Sequence, residues 1–118
     1  MLSLPELVQI HFCMQPTDMR KGFDSLAALV RDHLGYDPLS GHLFVFRSRR
    51  GDRVKMLSWE RDGFKLYYRR LEEGTFRFPA ATDPKARSVE VSSQELSLLL
   101  WGIDPSSVKR QKRYQRAG

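Results

Sequence analysis

The sequence predicts an α+β domain, a largely antiparallel β-sheet meander packed by one main helix and a short C-terminal helix. Residues 42–70 contain three apolar and aromatic runs separated by turn signals, which is typical of a three-stranded meander. Residues 18–34 instead place apolar residues at spacings of three and four, as one face of a helix does. A chain of 118 residues is long enough for one core. We therefore expect a single domain over residues 1–107, followed by a basic, flexible tail over 108–118.

The first predicted strand covers residues 7–13. This segment is largely apolar, and Pro16 follows it, which has no N–H to donate to a strand ladder. His11 and Cys13 are two apart and would share one face of the strand. The three histidines of the chain lie on three different predicted elements, so we interpret this pair as a buried cysteine and a hydrogen-bonded histidine. No metal site and no cofactor are predicted.

The main helix is predicted at residues 18–34. Either Thr17 or Asp18 can accept a hydrogen bond from a free N–H of the first turn, and Gly35 stands where a left-handed C-cap belongs. Its predicted apolar face consists of Met19, Phe23, Leu26, Val30 and Leu34.

The meander follows a turn-rich connection. Its strands are predicted at 42–47, 53–59 and 64–69, with a turn around Gly51 and a hairpin at Asp62–Gly63, where glycine would adopt the positive φ of a primed turn. The residues expected in its core are Phe44, Phe46, Val54 and Phe64.

The remaining elements are short. A strand is predicted at 75–78 and another at 88–91. Ser92 or Ser93 then caps a helix over 93–101 that carries three leucines, and Gly102 ends it.

The positive charge of the chain is concentrated in two places. The formal net charge is +6, but the last ten residues contain five basic and no acidic side chains, which leaves 15 basic against 14 acidic residues elsewhere. The second concentration is the turn at 47–55, where five cations accompany only Asp52. Arginine and lysine bind phosphates by displacing counterions. The predicted DNA contacts are Arg47, Arg49, Arg50, Arg53, Lys55, Lys109, Arg110, Lys112, Arg113 and Arg116.

Other classes of protein fit the sequence less well. It contains no nucleophile elbow and no phosphate-binding glycine loop, and its aspartates fit helix-cap and turn positions better than a catalytic cluster, so no enzyme is predicted. A single cysteine and the lack of a signal-like start favour the cytoplasm. No apolar run reaches the roughly 20 residues that span a bilayer, so no membrane partner is predicted.

Three blocks of the chain resemble a known family. They are PTDMRKGFD at 16–24, DPLSGHLFVFRSRRGDRVK at 37–55 and WERDGFKLYYRRLEEGTFRFP at 59–79. In this order they resemble the small accessory protein of the insertion-sequence-sixty-six family, its second open reading frame, often called TnpB but distinct from the RNA-guided nucleases of that name. The resemblance implies a non-catalytic role in transposition beside a separate, larger transposase.

Two functions follow as hypotheses. In the first, the basic hairpin and the tail bind DNA at the ends of the element. In the second, the chain is an adaptor that docks on the transposase without contacting DNA, with Tyr36, Trp59 or Trp101 as anchors. A solvated, charged hairpin tip is the alternative interpretation of the arginines themselves.

Overall fold

The computed structural model describes residues 8–81 and 83–102. These residues form five strands and two α-helices. The strands are β1 Ile10–Cys13, β2 Leu43–Arg47, β3 Arg53–Glu60, β4 Gly63–Arg70 and β5 Ser88–Val91. The helices are α1 Phe23–Leu29, which continues into a π-helical turn at Val30–Leu34, and α2 Ser93–Trp101.

The strands form one sheet in the order β4-β3-β2-β1-β5. All neighbours are antiparallel except β1 and β2, which run parallel because α1 and the π-helical turn connect them as a crossover. The predicted α+β class with a largely antiparallel sheet is confirmed.

Both faces of the sheet are covered, which explains why β1 and β2 are apolar at nearly every position. Alternate residues of the strands point to opposite faces. On the α2 face, Phe12, Val45 and Met56 pack with the buried leucines of α2. On the α1 face, Phe44 and Phe46 pack with Leu26, Val30 and Leu57 of the same cluster. Of the predicted meander core, Phe44, Phe46 and Val54 are fully buried and Phe64 is half-buried.

The prediction of one helix over 18–34 is wrong at its start. The α-helix begins at Phe23 with Gly22 as its N-cap, and no side chain caps it. Neither Thr17 nor Asp18 is the cap: the Thr17 N–H donates to the Arg47 carbonyl of β2, and the Asp18 carboxylate binds Arg20 instead.

Long-range bonds explain the shortened helix. The ammonium of Lys55 binds the carbonyls of Met19 and Lys21, two acceptors that a helix would need for its own i to i+4 bonds. Phe23, predicted on the apolar face, is 48% exposed as a result. At the other end, Gly35 has the predicted left-handed conformation with φ +78° and accordingly ends the π-helical turn.

Two turn predictions are also corrected. The β3–β4 loop is Arg61–Asp62, one residue earlier than predicted, and Gly63 pairs with Glu60 inside the sheet. Arg61, not Gly63, therefore carries the positive φ of 56°. The predicted 75–78 strand is an irregular segment in which Phe76 is buried and its N–H donates to Gly51 of the β2–β3 turn.

The C-terminal elements match their predictions. β5 covers 88–91 as predicted, and α2 begins with a capping box in which the Ser92 hydroxyl accepts from the Glu95 N–H and the Glu95 carboxylate accepts from the Ser92 N–H. Gly102 ends the helix. Among the described residues no helix is long and apolar enough to cross a membrane.

Candidate nucleic-acid interface

The β2–β3 turn, residues 48–52, is a tightly bonded platform for its arginines. The Ser48 hydroxyl donates to the Asp52 carboxylate and accepts from the Arg53 N–H. Gly51 has φ +81°, and a Cβ there would lie 3.4 Å from the side chains of Phe78 and Thr75. These two side chains therefore pack against the turn. The positive φ favours a glycine here, whereas the 3.4 Å distances are ordinary van der Waals contacts.

Arg49 and Arg50 lie at the exposed tip of this turn. Among the residues that the structure describes, neither forms a hydrogen bond or an ion pair with another side chain. Asp52, the acidic residue closest in sequence, is engaged by Ser48. Both guanidinium groups are therefore available to an anionic partner.

The register of β3 and β4 adds a second pair of cations. Arg53, the first residue of β3, is directly opposite Arg70, the last residue of β4. Like charges directly opposite each other on neighbouring strands are destabilising. Glu72 pairs with Arg70 at 3.0 Å, while the Arg53 guanidinium donates, within the described part of the chain, to the hydroxyl of Tyr68 at 3.4 Å. Glu72 therefore offsets the charge of Arg70, whereas none of the ion pairs among the described residues offsets the charge of Arg53.

Tyr68 occupies the next position on the same side of the sheet. It is opposite Lys55, and it is 48% exposed. The Lys55 ammonium lies 4.6 Å from the centroid of its ring. We define the cationic corner as four exposed residues and the half-buried Arg53; the exposed ones are Arg49, Arg50, Tyr68 and Arg70.

Two of the predicted contact residues face inward instead. Lys55 is buried, with its ammonium 2.7 Å from each of two backbone carbonyls. Arg47 is half-buried; its guanidinium donates to the Met14 carbonyl at 2.8 Å and lies 5.4 Å from the ring centroid of Phe78. Both side chains hold the elements under the cationic corner together, so we leave them out of the proposed contact surface.

The sequence-based selection also missed two residues of the corner. Arg70 and Tyr68 are more than a dozen residues from Arg53 in the chain, and only the strand register brings them beside it. The position of the hairpin loop is the sequence signal that could have identified these two residues. A loop at Arg61–Asp62 rather than Asp62–Gly63 predicts the observed pairing of β3 with β4. The five predicted contacts at 109, 110, 112, 113 and 116 lie outside the described residues.

The His11 and Cys13 pair is buried on the α1 face, as expected for structural residues. The Cys13 thiol lies 3.6 Å from the Gln15 carbonyl, and its burial raises the pKa of the thiol. Burial likewise lowers the pKa of His11, which stacks on Tyr36 at 4.1 Å; nearby Glu90 acts in the opposite direction. In the described part of the chain no group of three or more metal-ligating side chains occurs.

A second exposed feature lies on the opposite face of the sheet. Leu98 and Trp101, three apart on α2, are 65% and 67% exposed. The guanidinium of Arg69 lies 4.4 Å from the Trp101 ring centroid and donates to the Leu100 carbonyl. Trp59, another predicted anchor, is half-buried against Phe64 in an edge-to-face contact.

The fold and the corner thus define a small α+β domain that presents cations from a hairpin turn and a sheet edge. Comparison with known proteins places it more narrowly. A family model described as IS66 Orf2 like protein matches residues 8–110, and the chain belongs to this family. The family connects the chain with an insertion sequence in an accessory role, and it is not a known catalytic family.

Two curated relatives match the chain across most of its length. Both are uncharacterized proteins of Sinorhizobium fredii (strain NBRC 101917 / NGR234), y4jC and y4hO, and each is 39% identical over 104 residues. The match covers 88% of this chain in both cases, and 86% and 88% of the respective relatives. No solved structure matches the chain.

Proposed function

We propose that this protein assists transposition of its insertion sequence by binding DNA at the element ends through the cationic corner. The observation that carries the proposal is the directly opposed Arg53–Arg70 pair beside Arg49 and Arg50, which have no ion-pair partner among the described residues. Four guanidinium groups at one end of a hairpin make a local positive field that a phosphate backbone would neutralise. The basic residues from 109 to 116, which lie outside the described residues, are proposed as a second contact.

The geometry supports binding to the backbone rather than sequence readout. The corner is formed by a turn and the ends of two strands, and among the described residues it includes no helix that could enter a major groove. Contacts of this kind position a protein on DNA without identifying bases. Specificity for the element ends would then come from DNA shape or from the transposase.

Binding to labelled element-end duplex, measured by fluorescence anisotropy over a salt series, tests the proposal. We expect Arg70→Gln and Arg53→Gln to weaken binding and each to reduce the slope of log affinity against log salt by about one. Arg31→Gln is the matched control, because Arg31 pairs with Asp32 as Arg70 pairs with Glu72, at similar side-chain exposures of 61% and 57%. Deletion of 109–118 in a separate variant measures the contribution of the tail.

Two results would overturn the proposal. One is the absence of measurable binding at low salt. The other is a salt slope for Arg70→Gln and Arg53→Gln that equals that of Arg31→Gln.

The alternative function, an adaptor that docks on the transposase, is supported by Leu98 and Trp101. Two large apolar side chains exposed side by side on one helix are typical of an interaction site. Co-purification with the transposase tests this, with and without element-end DNA. If the adaptor function is correct, Leu98→Gln with Trp101→Gln abolishes capture and Arg53→Gln with Arg70→Gln does not.

A further inference from the structure

Tyr68 is the aromatic residue of the cationic corner, and its ring is fixed at two points. The ammonium of Lys55 lies over the ring, and the hydroxyl accepts from Arg53. Lys55 cannot move away easily, because its ammonium is itself held by two carbonyls. The tyrosine side chain therefore loses little further conformational freedom when a ligand packs on it.

Tyr68 is 48% exposed, so part of its ring is accessible to a ligand. Lys55 is on β3, the inner neighbour, whereas Tyr68 is on β4, an edge strand of the sheet. Within the described residues, no strand pairs with the other side of β4. The ring thus has one face against a cation and 48% of the residue exposed to solvent.

Cations surround this partly exposed ring. Arg70 is two residues away on the same strand and the same side, and Arg53 is opposite it. An aromatic platform bordered by phosphate-binding side chains is the arrangement that binds single-stranded nucleic acid, where bases stack on the ring and the backbone follows the cations.

We infer that the cationic corner binds an unpaired nucleotide, with its base stacked on Tyr68 and its flanking phosphates on Arg53 and Arg70. The ligand class is single-stranded DNA, or an unpaired stretch within the element ends. The inference rests on the proposed function, and it adds the state of the DNA that the corner binds.

Charge alone predicts the opposite preference. Duplex DNA has a higher linear charge density than a single strand and releases more counterions per contact, so a purely electrostatic corner would favour duplex. Bases inside a duplex are stacked on each other and unavailable to Tyr68. A preference for unpaired DNA is therefore diagnostic of the stacking contact.

The test uses the full chain and three labelled probes of equal length: oligothymidine, an abasic strand with the same backbone, and a duplex. The abasic strand retains the phosphates and lacks the bases. We expect the native protein to bind oligothymidine about tenfold more tightly than the abasic strand. Tyr68→Leu should abolish this difference, whereas Tyr68→Phe should retain most of it, because phenylalanine keeps the ring and loses only the bond from Arg53.

Phe23→Leu is the control, since this aromatic residue is as exposed as Tyr68, at 48%, and does not belong to the cationic corner. It should keep the native preference. Circular dichroism of each variant verifies that it is folded, and the comparison of probes with the native protein does not depend on any variant.

The possible results separate the two proposals. Equal affinity of the native protein for oligothymidine and the abasic strand, or a native preference in Tyr68→Leu, overturns the inference and leaves DNA binding by the corner intact. No binding to any of the three probes at low salt overturns both.

Discussion

Four of the five cations in residues 47–55 fall into two groups that differ in their hydrogen-bond acceptors. Arg47 and Lys55, at the two ends of this segment, donate to backbone carbonyls that lie 33 to 36 residues away in sequence. Arg49 and Arg50, between them, are exposed at the tip. A run of basic residues therefore contains cations that stabilise the fold and cations that can bind a partner. A cation near a carbonyl that lacks a backbone donor belongs to the first kind.

Lys55, one of the two inward-facing cations, satisfies carbonyls that the late start of α1 leaves without a helical partner. The segment before α1 is not helical until Phe23, so the carbonyls of Met19 and Lys21 have no helical partner. Leaving part-buried carbonyls unsatisfied is costly, and a charged donor satisfies them with strong bonds. Lys55 thus acts as an internal clamp between the sheet and the 19–21 segment.

The largest expected effect on the free energy of unfolding comes from replacing Lys55. Lys55→Met retains most of the apolar stem but removes two charge-assisted hydrogen bonds, so we expect it to lower the free energy of unfolding by about 3 kcal/mol. Urea denaturation followed by circular dichroism measures this, with Arg50→Met as the exposed control. A loss below about 0.5 kcal/mol, the range of ordinary surface substitutions, would show that the clamp is unimportant.

Arg47→Met should have the next largest effect. It removes the bond to the Met14 carbonyl and the contact with the Phe78 ring, and we expect a loss of about 1.5 kcal/mol in the same measurement. Arg47→Lys separates the two contributions, because lysine retains a positive charge without the planar guanidinium. Equal stability of the native chain and both variants would contradict the structural role.

Arg49 and Arg50, the exposed cations of the turn, should affect DNA binding and not stability. The double variant Arg49→Gln, Arg50→Gln should change the free energy of unfolding by less than about 0.5 kcal/mol. Its affinity for DNA should fall about tenfold at low salt, with a salt slope reduced by about two, because two phosphate contacts are lost. If stability fell and binding did not, the division into two groups would be wrong.

The smallest expected effect concerns a buried basic side chain without a carbonyl clamp. Burial lowers the pKa of His11, so the unfolded chain binds a proton more readily than the folded one. Stability contributed by neutral His11 is present above the ordinary histidine pKa of 6.5 and is lost as the pH falls below it toward the lowered value. Denaturation at about pH 7.5 and about pH 5.5 should show this decrease, and His11→Gln should reduce it.

Local signals in the sequence predicted much of the fold. The capping residue Ser92 and the helix that follows it depend on neighbours within four residues, and β5 and the meander strands match their predictions closely. The start of α1 could not be predicted in this way, because it depends on Lys55 and on the Thr17 bond to β2. At the start of α1, these tertiary hydrogen bonds outweigh the local preference for a helix.

The candidate site was predictable only in part for the same reason. Arg49 and Arg50 were identified as exposed cations from a turn signal alone. Lys55 alternates with apolar residues in a pattern that does not distinguish a solvent-facing cation from a buried one. Identifying Tyr68 and Arg70 required the correct strand register. The predicted hairpin loop was shifted by one residue, and this shift gave a different register.

The pairing of β1 with β5 sets the order in which the protein can fold. These strands come from opposite ends of the described chain, with Ile10 beside Val91. The meander of β2, β3 and β4 needs only local contacts and can form early, whereas β5 joins the sheet only after nearly the whole domain has been synthesised. Until then β1 has an unpaired edge, so on the ribosome the nascent domain would expose this apolar strand to association with other chains.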